Sequence, residues 1–159
     1  LTCDWSSDGA LPICGFIIAL QGPDSFAVIL WGSKTQRAVS RSTTEAEFVA
    51  LSTALFGDAI SLLAVCQKLI ASTLVLKVYE DNQAVLAIIA KGFSPKLKHL
   101  AKFHRINVAS TCEAFSVEDI LIEYISTSHQ KADVMNKALP VSVWPHVLDL
   151  LSIKSVPIT

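Results

Sequence analysis

Three short acidic motifs carry the residues of this chain that are best suited to chemistry. Glu45 and Glu47 lie in Ser-Thr-Thr-Glu-Ala-Glu, Asp81 follows an apolar run that ends at Tyr79, and Asp133 lies in Ala-Asp-Val-Met-Asn-Lys. Carboxylate oxygens are the ligands that Mg²⁺ prefers, and two such ions held together can cut a phosphodiester bond. The motifs therefore predict metal-dependent phosphodiester chemistry, with two Mg²⁺ ions, or Mn²⁺ in their place, as the cofactor.

Helical geometry distinguishes the two glutamates of the first motif. They are about 200° apart around a helix, so the pattern predicts that only one of them faces the core. The helix face that follows Glu47 is an apolar stripe of Ala50, Leu51, Ala54 and Leu55. The face that follows Glu45 is mixed and consists of Val49, Ser52, Thr53 and Phe56. We therefore expect Glu47 to be the metal ligand. The alternative is that Glu47 lies at the margin of the apolar stripe and forms a salt bridge.

The second motif follows a predicted strand, and the third lies on a short predicted helix. Asp81 is at the carboxyl end of a strand, where open α/β folds place active sites, although Asp is also an ordinary helix N-cap. Asn82 and Gln83 beside it are candidates to contact a nucleic-acid backbone. Asp133 is either a metal ligand or a surface residue. His129, one turn earlier, is either a proton shuttle or an exposed residue at the start of the helix.

A basic segment near the middle of the chain is a candidate surface for phosphates. The net charge of −1 gives no overall attraction to nucleic acid, so this local cluster matters more. The alternative is a basic helix face that is simply solvated. The candidate substrate-binding residues here are Lys98, His99, Lys102, His104 and Arg105.

Composition predicts one globular α/β domain. The chain has 159 residues, of which 52% are hydrophobic and 17% charged. Its four cysteines have no C-x-x-C spacing and are expected to be small apolar residues of a reducing, intracellular compartment. We predict no secretory leader, no membrane span and no membrane partner. The domain is expected to cover residues 1–140, with 141–159 as a C-terminal helix or tail.

Local patterns predict the order of the elements. We expect a short first strand at 1–5, a hairpin of strands 13–20 and 26–31, and further strands at 74–79 and 120–125. The expected helices are 43–70 with a cap at Ser42 or Thr43 and a possible interruption at Gly57, then 81–91, 95–112, 129–139 and a last helix or hook within 141–153.

The motifs together resemble the ribonuclease H domain of copia-type LTR retrotransposon polyproteins. The matching segments, in the same order, are Ser40–Phe48, Glu80–Ala84 and Lys131–Pro140, supported by Trp31–Gln36 and Lys98–His104. The resemblance implies a ribonuclease H-like fold: a five-stranded mixed sheet, three strands antiparallel and then two parallel, flanked by helices. It also implies cleavage of the RNA strand of RNA–DNA hybrids, with a neighbouring reverse transcriptase region as partner.

The N-terminus departs from that family. The family opens with Asp-Ala-Asp-Trp and its first Asp is catalytic, whereas this chain has Thr2-Cys3-Asp4-Trp5. A shift of two residues along a strand keeps a side chain on the same face, so Asp4 would replace the missing ligand. The resemblance thus implies Asp4, Glu47, Asp81 and Asp133 as the catalytic, metal-binding carboxylates. The alternative is a decayed or co-opted fold that binds nucleic acid or a partner domain without cutting.

Overall fold

The protein has the predicted α/β class. The computed structural model describes residues 2–4, 11–136 and 138–153, the first three by their backbone alone. The strands are β1 (Thr2–Asp4), β2 (Ile13–Gln21), β3 (Phe26–Thr35), β4 (Leu76–Glu80) and β5 (Ile120–Tyr124). The α-helices are α1 (Thr43–Ala54), α2 (Ile60–Ile70), α3 (Gln83–Lys91), α4 (Leu100–Phe103), α5 (Val108–Ala114) and α6 (Trp144–Leu150).

The first three strands form an antiparallel sheet in the order β1-β2-β3. The predicted hairpin between β2 and β3 is confirmed, and the Gly22 N–H donates to the Ser25 carbonyl (2.9 Å) to close its turn. β1 pairs with β2 so that Thr2 is opposite Gly15 and Asp4 is opposite Ile13. This register places the N-terminal residues of the resemblance beside the start of β2.

The predicted five-stranded sheet is wrong for the strands that the structure describes. β4 and β5 are parallel, as expected, but they form a separate two-stranded sheet. β1 has only three residues, and its one partner among the described strands is β2. No described strand therefore joins the two sheets.

The predicted long helix runs from Thr43 to Ile70 with a π-helical segment, Leu55–Ala59, between α1 and α2. Ser42 is the N-cap, and its hydroxyl accepts a hydrogen bond from the Glu45 N–H (3.1 Å). The interruption expected near Gly57 is confirmed as this π segment. By length and composition alone the whole helix is able to cross a membrane, a test that core helices of soluble proteins also pass.

Helix α1 lies between the antiparallel sheet and the rest of the core. Ala46 and Ala50 pack towards Cys14 of β2. On its other side, Phe48 and Leu51 belong to a hydrophobic cluster with β4, α3, α4 and α5. Small residues therefore face the sheet at close range, while large ones fill the main core. The helix is enclosed on both sides.

The expected basic helix over 95–112 is wrong as a single element. The segment contains a short 3-10 helix, Pro95–Leu97, followed by α4 and α5 with a break between them. Arg105 adopts a left-handed conformation (φ 58°), which no α-helix continues. Asn107 then caps α5, and its side chain accepts from the Ala109 N–H (3.0 Å).

The expected helix over 129–139 is also wrong. Two short 3-10 helices, Thr127–His129 and Lys131–Met135, take its place. The expected C-terminal helix is confirmed as α6, which packs onto these segments. The Lys131 ammonium donates to the Leu150 carbonyl (2.6 Å), and His146 Nε2 is 3.2 Å from the Ser128 carbonyl oxygen.

Candidate functional site

Both glutamates of the first motif are buried. Glu45 is 2% exposed and Glu47 is 8% exposed, so the prediction that only one of them faces the core is wrong. The prediction assumed a helix with one solvent face, but α1 is enclosed by the sheet on one side and the main core on the other. Glu47 nevertheless remains on the element that contacts β1 and β2.

Glu45 meets two histidines of the basic segment. Its Oε1 lies 3.0 Å from His99 Nε2 and 3.6 Å from His104 Nε2. Neither contact has the geometry of a hydrogen bond, and each becomes an ion pair only when its imidazole is protonated. Burial lowers the pKa of His104; Glu45 opposes this effect and His99 adds to it. Two of the five predicted phosphate-binding residues thus face a buried carboxylate instead of solvent.

Asp81 lies directly after β4 and is not the cap of the next helix. Asn82 is the N-cap of α3, and its side-chain oxygen accepts from the N–H groups of Ala84 (3.0 Å) and Val85 (3.3 Å). Asp81 Oδ2 instead accepts a hydrogen bond from the Thr127 hydroxyl (2.8 Å). The carboxylate therefore contacts the chain that follows β5, at the carboxyl edge of the parallel pair. Sequence reasoning missed Thr127, for which no motif gives a signal.

Glu80, one residue earlier, was also missed. Its side chain is fully buried, and Oε1 accepts from the Asn82 N–H (3.0 Å). Desolvation raises the pKa of Glu80 to about 7, partly offset by that hydrogen bond. The alternation along β4 gives a signal, because Val78 and Glu80 share the buried face of the strand.

Asp133 lies on the 3-10 helix Lys131–Met135, which packs against β1, β2 and β3. Gly15 of β2 makes this close approach possible. A Cβ on Gly15 would lie 2.8 Å from the Met135 Cβ and 2.9 Å from the Ala132 carbonyl oxygen. Asp133 is thereby held beside the antiparallel sheet that carries β1. It also borders a cavity of about 190 Å³ under α6.

His129 is exposed on the preceding 3-10 helix, not on one helix with Asp133 as predicted. Its Nδ1 lies 2.8 Å from the Ser126 hydroxyl and 3.2 Å from the Ser128 hydroxyl. The ring is therefore oriented through Nδ1, so Nε2 is the atom suited to exchange protons with solvent.

The remaining predicted contacts to nucleic acid are on the surface. Lys98, Lys102 and Arg105 are exposed along the basic segment. Gln83 is exposed at the start of α3, whereas Asn82 is half-buried and uses its side-chain oxygen as a cap. These positions suit contact with a nucleic-acid backbone, and the role stays a prediction.

The donor types suit Mg²⁺, since Glu47, Asp81 and Asp133 offer only carboxylate oxygens. In the described residues, however, no three Asp, Glu, His or Cys side chains come together closely enough to hold a metal ion. The Asp4 side chain lies outside the described residues, and only its backbone position opposite Ile13 is known. The described carboxylates alone therefore do not make a complete metal site.

Neither a protein-family model nor a solved structure matches this chain. The relation to ribonuclease H domains accordingly depends on the motifs and on the placement of their residues.

Proposed function

We propose that this protein is a ribonuclease H that cleaves the RNA strand of RNA–DNA hybrids, and that it is part of a retrotransposon polyprotein. The observation that carries the proposal is where the motif carboxylates lie. Glu47 is on the helix that contacts β1 and β2, and Asp133 is on the 3-10 helix packed against the same strands. Asp81 directly follows β4 and is not used to cap α3.

In this proposal Asp4, Glu47, Asp81 and Asp133 are the metal-binding carboxylates. Two divalent ions held by such residues would activate a water molecule and stabilise the departing 3′ oxygen. His129 would exchange the proton of the leaving group through Nε2. Cleavage should depend little on sequence, because RNA–DNA hybrids are recognised by backbone shape and 2′-hydroxyls.

The substrate contacts would come from the basic segment and from the start of α3. Lys98, Lys102 and Arg105 would bind phosphates of the hybrid as cations. Gln83 and the side-chain nitrogen of Asn82 would donate hydrogen bonds near Asp81. A reverse transcriptase region of the same polyprotein remains the proposed neighbour.

A second function is favoured by a specific observation. Thr2, not an acidic residue, is opposite Gly15, and the described residues contain no complete metal-binding group. A chain that has lost its first ligand would bind nucleic acid or a partner domain without cutting it. This alternative retains the same fold and the same basic segment.

The deciding experiment is cleavage of an end-labelled RNA–DNA hybrid in Mn²⁺ by the parent chain, Asp81→Asn and Asp4→Asn. Cleavage lost in both variants supports the nuclease with Asp4 as a ligand. Cleavage lost only in Asp81→Asn keeps the nuclease and rejects Asp4.

Asp24→Asn, in the exposed β2–β3 turn, is the matched control and should cleave like the parent. A well-folded parent chain that does not cleave the hybrid would reject the nuclease and favour the second function. Retained cleavage in Asp81→Asn would show that the motif carboxylates are not the catalytic ones.

A further inference from the structure

A recess of about 370 Å³ lies between the end of α1, the loop after α4 and the start of α5. It has no acidic residue or histidine in its wall, so it is distinct from the predicted catalytic carboxylates. Small-ligand sites in proteins have volumes of about 300–1,000 Å³. The recess is therefore large enough for a small ligand.

The recess is electrostatically suited to an anion. Arg105 is the charged residue of its wall, and the polar groups around it are uncharged hydroxyls and an amide, from Ser52, Thr53, Asn107, Ser110 and Thr111. Among the described residues, no carboxylate lies within ion-pair distance of Arg105. A guanidinium with no carboxylate partner and with uncharged polar neighbours is suited to bind a phosphate.

An aromatic ring borders the same recess. Phe56 is 48% exposed, although phenylalanine is among the side chains that gain most from burial. An exposed ring that borders the same recess as a cation offers a stacking surface for a nucleic-acid base. The recess thus combines an anion site with a surface for a flat ring.

Two uncommon backbone conformations meet at these residues. Phe56 lies in the π-helical segment, and Arg105 has a positive φ of 58°. Such irregularities are frequent at functional sites, where they direct side chains that a regular helix would turn elsewhere. In the wall of the same recess, the buried Thr111 hydroxyl lies 3.1 Å from both Ser52 Oγ and the Asn107 carbonyl oxygen, which ties α1 to the start of α5.

We propose that this recess binds one nucleotide unit, with its phosphate on Arg105 and its base stacked on Phe56. The unit would be a free nucleotide or one nucleotide of a single strand. The site shares Arg105 with the predicted hybrid contacts but uses none of the carboxylates. Binding at this site can therefore be tested independently of cleavage.

Binding should be measured in EDTA, so that neither metal nor cleavage is involved. The probes are a labelled single-stranded DNA oligonucleotide, followed by fluorescence anisotropy, and AMP or inorganic phosphate, followed by calorimetry. Arg105→Asn removes the charge with a residue that tolerates positive φ. Phe56→Leu removes the ring and keeps most of the apolar volume.

We expect each variant to weaken binding of AMP and of the oligonucleotide about tenfold. Arg105→Asn should also lower the dependence of log K on log salt concentration by about one unit, and Phe56→Leu should not. Lys91→Asn and Phe93→Leu alter another exposed cation and another exposed phenylalanine, and should bind like the parent.

The proposal is overturned if all four variants bind alike, or if inorganic phosphate binds as tightly as AMP. Binding of AMP without the oligonucleotide assigns the site to free nucleotides, and binding of both assigns it to nucleotide units in general. Retained binding in a chain that does not cleave hybrids would reject the nuclease and keep this site.

Discussion

Buried carboxylates dominate the chemistry at the scale of single residues. Glu45, Glu47 and Glu80 are each less than a tenth exposed, and an ionised carboxylate is costly in such surroundings. Two of them are compensated in different ways. Glu45 lies beside two imidazoles that attract it when protonated, whereas Glu80 takes up a proton more readily, because its pKa is raised to about 7. Glu47 is the one that the motif resemblance assigns to metal.

Replacement of Glu45 should destabilise the fold without altering the predicted metal site. Glu45→Gln removes the charge that attracts His99 and His104, and leaves both rings facing a neutral amide. We expect a loss of about 2 kcal/mol in the free energy of unfolding, measured with urea at pH 7. Glu113→Gln, at an exposed position of α5, should change it by less than about 0.5 kcal/mol. Equal values for the two variants would contradict a stabilising role for the contacts of Glu45 with His99 and His104.

The same cluster should make stability depend on pH. Burial lowers the pKa of His104 below its ordinary 6.5, so folding favours the neutral ring. The contribution of the neutral His104 ring to the free energy of unfolding is then complete above pH 6.5. This contribution is lost as the pH falls through 6.5 towards the folded-state pKa. We expect the melting temperature to fall between pH 7 and pH 5, and His104→Asn to reduce that fall.

Glu45→Gln provides the reciprocal test of that pH dependence. Because Glu45 raises the pKa of His104, its removal should lower that pKa further and steepen the loss of stability in acid. If neither substitution changes the pH dependence of the melting temperature, the pKa of His104 is the same in the folded and unfolded states.

At the scale of elements, close packing holds Asp133 against the antiparallel sheet. Gly15→Ala would place a methyl group 2.8 Å from the Met135 Cβ and 2.9 Å from a backbone oxygen. The 3-10 helix would then have to move away from β2. We expect a loss of about 1–3 kcal/mol in unfolding free energy and reduced hybrid cleavage.

Gly57→Ala is the matched control for that substitution. A Cβ on Gly57 meets nothing within 4 Å, and alanine favours helix by up to about 1 kcal/mol over glycine. Chemical denaturation should therefore show a lower free energy of unfolding for Gly15→Ala and a higher one for Gly57→Ala, each relative to the parent. Destabilisation by Gly57→Ala equal to that by Gly15→Ala would reject steric contact as the cause.

Elements with strong local signals were predicted from the sequence, and those that depend on tertiary contacts were not. The β2–β3 hairpin, the Ser42 cap and the end of α3 at Lys91 each follow from nearby residues. The break at Arg105 has no local signal, because arginine rarely adopts positive φ and only the surrounding packing can enforce it. The same holds for the 3-10 helices of the 127–135 segment, where a regular pattern predicted one α-helix.

On the scale of the whole molecule, the position of α1 explains the largest error about the site. A periodic pattern assumes one buried face, but α1 is covered by a sheet and by the main hydrophobic cluster. Both Glu45 and Glu47 are therefore buried, and periodicity could not choose between them. The resemblance to ribonuclease H domains implied one sheet of three antiparallel and two parallel strands, yet among the described strands β1 pairs only with β2, and two separate sheets result.

Metal binding should be visible as a property of the whole fold, independently of catalysis. Carboxylates brought to one site repel each other, and ions that bind only the folded chain stabilise it by mass action. At ten times the dissociation constant the gain is about 1.4 kcal/mol, or roughly 3–5 °C in melting temperature for a domain of this size. We expect such a rise for the parent chain in millimolar Mg²⁺ or Mn²⁺, relative to NaCl of equal ionic strength. Asp81→Asn should abolish this rise in melting temperature and Asp24→Asn should keep it.

An unchanged melting temperature in the parent would mean that the carboxylates on α1, after β4 and on the 131–135 helix do not act as one metal site. Catalysis by two ions would then have no site in this chain, and the non-cutting function would be the better account of the same fold.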